Sequence, residues 1–530
     1  MTVEVLIPPS VLPVSPVDHE LTDDGSASFV PKFARGRAQS QVWSAPRWRF
    51  RPKFEAMRGS DNAALARAIA ACQGRGGVVR WSPGIAPRGS FPATELLTNN
   101  DFSNGTTGWT AGSQWSLSSS DYALRSARSA VSVAGDAALA TLSSGLSQYA
   151  PYAGRFFING ARGYPSSSTF RIDDRNNTVS GSTLTGFGML TQSIMTGSGG
   201  NIQLALVDLA VSGIIAGDHL NIGYSSLTRG MQVDNGPNLF TYSEQIDHAN
   251  WTKGQCTISA NSGTAPDGTS TADSMQETAV TNTHEVSEAQ TVSSAAADYC
   301  LCAAIASGTR GFVQLVLTES TGGTSAFGYF NLTTGAVGTT GTGGANWSNV
   351  RTFIVDKGNT WRYVCVIARK VNAATTVTPR ILAATADGTN SYLGVAATNA
   401  IYIWRPTFAQ SSLPVRLSLT TSGAIASGTA QSGSSVYVKG LPASTSGLLL
   451  SKDWVEINGQ LVRLTASLDS DAAGLGYLQF GPSLAAAVAD NDVIIVKNPM
   501  GRFQFAADPK ITERWGTYTD YDLDLLEYFG

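Results

Sequence analysis

Charge is scarce in this chain. Only 14% of its 530 residues are Asp, Glu, Lys or Arg, against 42% hydrophobic. That balance excludes a charge-rich disordered chain, which could not bury enough apolar surface to fold. Long apolar runs are also missing. No uninterrupted stretch reaches the roughly 18 residues of a membrane span, so no membrane insertion is expected. The opening MTVEVLIPPSVLPVSP lacks a basic start and is broken by prolines, unlike a secretory signal.

Cysteine and histidine are sparse. There are five Cys (Cys72, Cys256, Cys300, Cys302 and Cys365) and four His. An odd, scattered set argues against a disulfide framework. Cys300 and Cys302 would face one side of a strand as small core residues. A zinc site needs more ligands close together, so neither a metal nor another cofactor is expected.

Catalytic signatures are missing too. The chain has no Gly-x-Ser-x-Gly elbow, no His-Glu-x-x-His pair and no phosphate loop. The Gly-rich run Gly335–Gly344 lacks the strand and helix that a nucleotide loop requires and reads as a turn. Asp173-Asp174 and Glu285/Glu288 are paired carboxylates. A glycosidase needs two such groups across a sugar, and nothing in the sequence places these in a cleft. The chain is therefore read as no enzyme.

What is present is turn and strand chemistry. Gly is abundant, at 55 residues, and Ser and Thr crowd the middle of the chain. This predicts a mainly β protein of three or four domains. One short helix is expected, with Ser60 as N-cap and Asp61 in its first turn. Leu65, Ile69 and Cys72 would form its apolar stripe, and Gly74 would end it.

Charge is unevenly placed. Residues 1–30 hold five acids and no Lys or Arg, residues 31–94 hold twelve Lys/Arg and two acids, and residues 506–530 hold six acids and two bases. Arg47, Arg49, Arg51 and Lys53 alternate with Trp48, Phe50 and Phe54, the period of a half-buried strand. Asp520, Asp522 and Asp524 alternate with Tyr521, Leu523 and Leu525. A basic block can signal nucleic acid. Here the acidic stripe would repel phosphate, so sequence-specific nucleic-acid binding is not expected. Charge pairing of Arg47, Arg49 and Arg51 with Asp520, Asp522 and Asp524 is expected instead, across a sheet or a subunit contact.

The two ends of the chain look like halves of one domain. Residues 39–94 give a strand around Trp48, the helix, the turn Gly74–Gly77 and a strand into Trp81-Ser82-Pro83-Gly84, then Ala86-Pro87-Arg88-Gly89. Residues 432–530 run through Gly447-Leu448-Leu449-Leu450, the Asp490–Asp492 turn and the stretch Val496–Phe503 to an aromatic-acidic terminal strand. In the order and spacing of these motifs the pair resembles the distal tail protein of long-tailed bacteriophages. The resemblance covers about 150 residues. It implies a discontinuous β-sandwich or barrel domain that closes into a homo-oligomeric, sixfold ring. Such a ring binds the tail tube protein above and the baseplate hub protein below, and leaves a lumen for the tape measure protein. The implied location is the tail tip of a virion assembled in the host cytoplasm.

Between the ends lies an internal repeat. Leu96, Thr98, Asp101 and Trp109 of ELLTNNDFSNGTTGW align with Leu239, Thr241, Glu244 and Trp251 of NLFTYSEQIDHANW. The two modules resemble jelly-roll carbohydrate-binding modules of phage tail proteins, which implies host-surface glycans as partners. Sugar binding needs exposed rings. Trp109, Trp251, Trp361 and Trp404 read as core. Trp347, in the loop GGANWSN, is the candidate exposed ring for carbohydrate.

The expected organisation is an extended N-terminal arm (1–38) that could strap a neighbouring subunit, a split ring domain (39–94 with 432–530), module one (95–233), module two (234–424) and a linker (425–431). The expected function is a tail-tip ring whose inserts bind host carbohydrate during adsorption. The alternatives are a purely structural ring whose inserts touch other tail proteins, and a glycan-degrading tail enzyme.

Overall fold

The computed structural model describes residues 4–7, 18–23, 26–29, 39–42, 47–57, 62, 65, 66, 69, 70, 77–83, 86–98, 108–111, 116–118, 124–128, 138–162, 169–174, 179–185, 188–208, 218–514 and 518–529. The chain is mainly β. Its strands form an eight-stranded sheet built from both ends of the sequence, a closed six-stranded barrel, and two two-sheet sandwiches. No helix among the described residues is long and apolar enough to cross a membrane.

The end sheet runs Glu4–Ile7, Val78–Trp81, Gly501–Phe505, Leu525–Glu527, Trp48–Met57, Tyr518–Asp522, Lys510–Arg514, with Asp18–Asp23 also pairing to Trp48–Met57. Strands from the first 81 residues are thus interleaved with strands from the last 30. Part of the expected free arm is committed here: Glu4–Ile7 pairs parallel to Val78–Trp81, and Asp18–Asp23 antiparallel to Trp48–Lys53. Pairing satisfies backbone groups that a loose arm would leave to water.

Alternation fixes the buried face. Trp48, Phe50, Phe54, Tyr521, Leu523 and Leu525 are all buried in one cluster. Leu525 lies opposite Phe50, and Tyr521 opposite Phe54. The helix packs on this face. Asn62, Leu65, Ala66, Ile69 and Ala70 are helical, Leu65 is fully buried and Ile69 rests against the cluster. Ser60, Asp61, Cys72 and Gly74 lie outside the described residues.

The barrel is formed by Gln431–Lys439, Gly476–Val488, Gln460–Leu464, Trp454–Ile457 and Val493–Ile495, closed by the short strand Met231–Val233. That last strand was expected at the end of module one. It pairs instead with Lys439 and Val438 on one side and with Ile494 and Val493 on the other. Barrel and end sheet share contacts. Trp48 packs edge-on against Trp454 at 4.9 Å and donates its indole N–H to the Leu461 carbonyl at 2.9 Å. The Glu527 carboxylate accepts from the N–H groups of Trp48 (3.2 Å) and Leu461 (3.0 Å).

Each insert is a sandwich with its own core. Trp109 packs on Phe156 in the first, and Trp251 on Phe240 in the second, both as expected of core rings. The repeat is also structural. Leu96 N–H bonds to the carbonyl of Leu227, and Leu239 N–H to that of Phe408, so each opening segment is tied to its module's last long strand. In the second sandwich Cys302 and Cys365 face each other across adjacent strands and form a disulfide. The sparse cysteine count argued against a disulfide framework, and this single bridge comes from strand register rather than from count. Cys256 and Cys300 are free and buried.

Both inserts are docked. Arg155, from the first sandwich, is fully buried and reaches Glu456 of the barrel at 3.4 Å, while Arg80 of the end sheet reaches the same carboxylate at 3.5 Å. The second sandwich packs Cys300, Tyr363 and Ile367 against Ala473 and Leu475 of the barrel.

Candidate functional site

Arg49 and Asp524 meet on the solvent side of the end sheet. The Arg49 Nε and Nη2 groups donate to the two Asp524 oxygens at 2.8 and 2.6 Å, and Arg51 approaches the same carboxylate at 3.6 Å. The hydrogen bonds from Arg49 are the main reason the Asp524 carboxyl lies below its usual range. Asp522 sits opposite Lys53 in register, and Asp520 opposite Thr512. Arg47 lies over the Phe529 ring at 5.5 Å rather than beside any of the three acids. Of the six charged residues, the structure thus gathers Arg49, Arg51 and Asp524 into one cluster. Arg51, Asp522 and Asp524 also line an open, polar cleft of about 450 Å³ with Lys53, Asp508 and Lys510.

Trp347 is not an exposed ring. It is 3% exposed, belongs to the core of the second sandwich and donates its indole N–H to the Thr324 carbonyl at 3.1 Å. The loop-like composition around it described the backbone and not the direction of the side chain. Trp347 opens a strand, Trp347–Gly358, and points inward. It is not available to stack on a sugar. Trp361 and Trp404 are buried as well. Trp115 lies outside the described residues.

The exposed aromatic pair is elsewhere. Tyr437 and Tyr477 are cross-strand partners on the outer wall of the barrel, 43% and 42% exposed, with ring centroids 4.8 Å apart. Their strands read S-V-Y-V-K and G-Y-L-Q-F, so the aliphatic neighbours Val436, Val438 and Leu478 turn inward and the tyrosines outward. Polar groups fix the rings. The Tyr477 hydroxyl donates to Ser435 Oγ at 2.7 Å, and the Arg416 guanidinium covers Tyr437 at 4.7 Å. Arg416 is itself held by the carbonyls of Asp234 (3.2 Å) and Asn235 (3.0 Å). Two fixed, exposed rings with hydroxyls at their edges can stack on the C–H faces of a pyranose and orient it by hydrogen bonds. Period-two alternation was the sequence signal for this pair.

The carboxylates paired in the sequence are held within the sandwiches. The paired Asp173-Asp174 belongs to a sheet of the first sandwich. Asp173 is gripped by Arg171 at 2.6 and 2.8 Å, and Asp174 accepts from Gln203 N–H at 3.0 Å. Glu285 is held by Arg380, and Glu288 accepts from the Thr241 hydroxyl at 2.7 Å. Among the described residues no group of three or more His, Cys, Asp or Glu side chains is placed to hold a metal.

No family model matches the chain, and no curated protein matches it. Solved structures similar to this chain include the N-terminal CBM22-1–CBM22-2 tandem domain of Xyn10C from Paenibacillus barcinonensis, 13% identical over 61% of this chain and 99% of that one, with a TM-score of 0.21. A Paenibacillus xanthan lyase is 17% identical over 61% of this chain and 26% of its own length, TM-score 0.18. The M60 catalytic domain with CBM51-1 and CBM51-2 of ZmpB from Clostridium perfringens is 8% identical over 73% of this chain and 43% of that one, TM-score 0.16.

Proposed function

We propose that this chain is a structural and adsorption component of a phage tail tip: a ring subunit that joins tail tube to baseplate hub and whose outward surfaces contact host carbohydrate. The observation that carries the reading is the end sheet, stitched from the first 81 and last 30 residues with both sandwiches inserted between. It supports the sequence resemblance because each half alone leaves strands without partners. For glycan contact the supporting surface is the Tyr437–Tyr477 pair. Imaging of the purified chain with light scattering, alone and with tube protein, tests the reading. The expected result is a closed sixfold ring. Monomers at high concentration under both conditions overturn it.

A second reading has an observation in its favour. Every described tryptophan of the inserts is buried. This suits a purely structural ring whose inserts touch neighbouring tail proteins. Adsorption that is unchanged when Tyr437 and Tyr477 are both replaced by Ser favours it.

A further inference from the structure

An arginine–tyrosine contact links the two sandwiches, and the arginine carries two buried donors without a partner among the described residues. Arg351, on the outer strand of the second sandwich, sits over the ring of Tyr149 from the first, with its guanidinium carbon 3.9 Å from the ring centroid. Both line a cleft of about 410 Å³ where the two sandwiches meet the barrel, walled by Pro92, Phe353, Leu413 and Leu441. Its size falls within the ~300–1,000 Å³ of small-ligand sites.

Local backbone aims both side chains. Tyr149 has φ 49°, in the left-handed region that bulky residues rarely occupy. The strand register slips between Ser348 and Arg351, and Asn349 within that bulge has φ 53°. Bulges re-aim side chains and cluster beside sites.

The Nε and Nη2 groups of Arg351 are buried and meet no acceptor among the described residues. Leaving such donors unpaired is costly. These two N–H groups form one edge of the guanidinium, the edge that takes a carboxylate side-on. Arg49, Arg171, Arg310 and Arg380 of this chain all use Nε and Nη2 in this way, on Asp524, Asp173, Glu277 and Glu285. The nearby Asp298 attracts Arg351 by charge but makes no hydrogen bond to this edge, and it also lies 3.6 Å from Arg369. Burial pushes the Arg351 pKa down, the condition that an anionic partner relieves.

We propose that the cleft binds the carboxylate of an acidic sugar, with the Arg351 edge gripping the carboxylate and the apolar wall with Tyr149 covering the ring. This deepens the glycan-contact half of the proposed function. The test is calorimetric titration of the full chain with glucuronate and N-acetylneuraminate, with methyl glucoside as the neutral control. At least one acid is expected to bind, and the neutral sugar at least about tenfold more weakly. Arg351→Lys keeps the charge and loses the two-pronged edge, so affinity falls about tenfold or more. Should Arg351→Lys unfold, Tyr149→Ala decides: weakened binding in a folded chain supports the site, and unchanged binding overturns it. Absence of binding by either acid, or equal binding by wild type and Arg351→Lys, also overturns it and leaves the edge to ordered water. Monosaccharide binding in solution does not depend on assembly. A chain that binds acid yet forms no ring leaves this site standing against the tail reading, and a ring that binds no acid does the reverse.

Discussion

Glu277 is fully enclosed in the second sandwich, where burial alone would push its carboxyl up. Arg310 donates at 2.6 and 2.7 Å, Val395 N–H at 2.9 Å and the Tyr392 hydroxyl at 2.7 Å, and together they outweigh burial and bring the pKa to about 2. A carboxyl with a depressed folded pKa contributes stability that is present above its unfolded value, near 4.5, and is lost as pH falls through the folded value. The contribution is on the order of 3 kcal/mol. Glu319, which burial pushes up and Asn346, Asn372 and Thr324 pull down to about 2, behaves alike. The melting temperature of the second sandwich should therefore be level from pH 7 to about 5 and fall steeply between about 4.5 and 2. Glu277→Gln should lower the plateau and flatten the fall, as read by calorimetry across pH. None of this was legible beforehand, because Glu277 and Arg310 are 33 residues apart and meet only through the sheet. The inward direction of Trp347 was hidden for the same reason, whereas strict alternation made the burial of Phe50 and Leu525 readable.

Pattern carried further at the level of elements. The repeat of Leu96 and Leu239 predicted equivalent roles, and both segments bond to their module's last long strand. The residue before each differs. Glu95 accepts from the Ser226 hydroxyl at 2.6 Å and Leu227 N–H at 2.9 Å. Asn238 uses both ends of its amide. Its oxygen accepts from the N–H groups of Phe240 and Phe408, each at 3.1 Å, and its nitrogen donates to the carbonyls of Pro406 (3.1 Å) and Ser418 (2.9 Å). One side chain thus ties the opening segment, the last long strand and the return path together. Asn238→Ala removes a partner from four buried backbone groups, of which the Ser418 carbonyl keeps the Ser243 hydroxyl at 3.0 Å, and should cost about 3–5 kcal/mol. Denaturant unfolding monitored by tryptophan fluorescence should show this as a lower midpoint with an unchanged slope. Asn238→Asp keeps the acceptor but sets a buried carboxylate oxygen against the Pro406 and Ser418 carbonyls, so it should lose at least as much.

At the scale of the whole molecule, Met231–Val233 leaves the end of the first module and returns to the barrel. Three apolar-polar residues between two long modules carry no periodicity, so their return to the barrel could not be read. That return changes how the ends can be isolated. A fusion of residues 1–93 to 432–530 through a Gly/Ser link removes Met231–Val233. It leaves the Gln431–Lys439 and Val493–Ile495 strands facing an open slot. An open slot exposes the backbone edges of both strands, an invitation to association. It also uncovers Val438 and Ile494, now buried. A second fusion, which carries residues 229–236 on flexible links between the two ends, restores the strand and the Val233 N–H bond to the Asp492 carbonyl. The second fusion should unfold cooperatively and stay monodisperse at low concentration. The first should melt lower, bind a hydrophobic dye and aggregate. Circular dichroism with light scattering on the pair decides the matter. If the two behave alike, the short strand is dispensable and the barrel closes without it. If neither folds, the ends depend on the docked sandwiches, through Arg155 and Glu456 and the contacts of Ala473 and Leu475, as much as on each other.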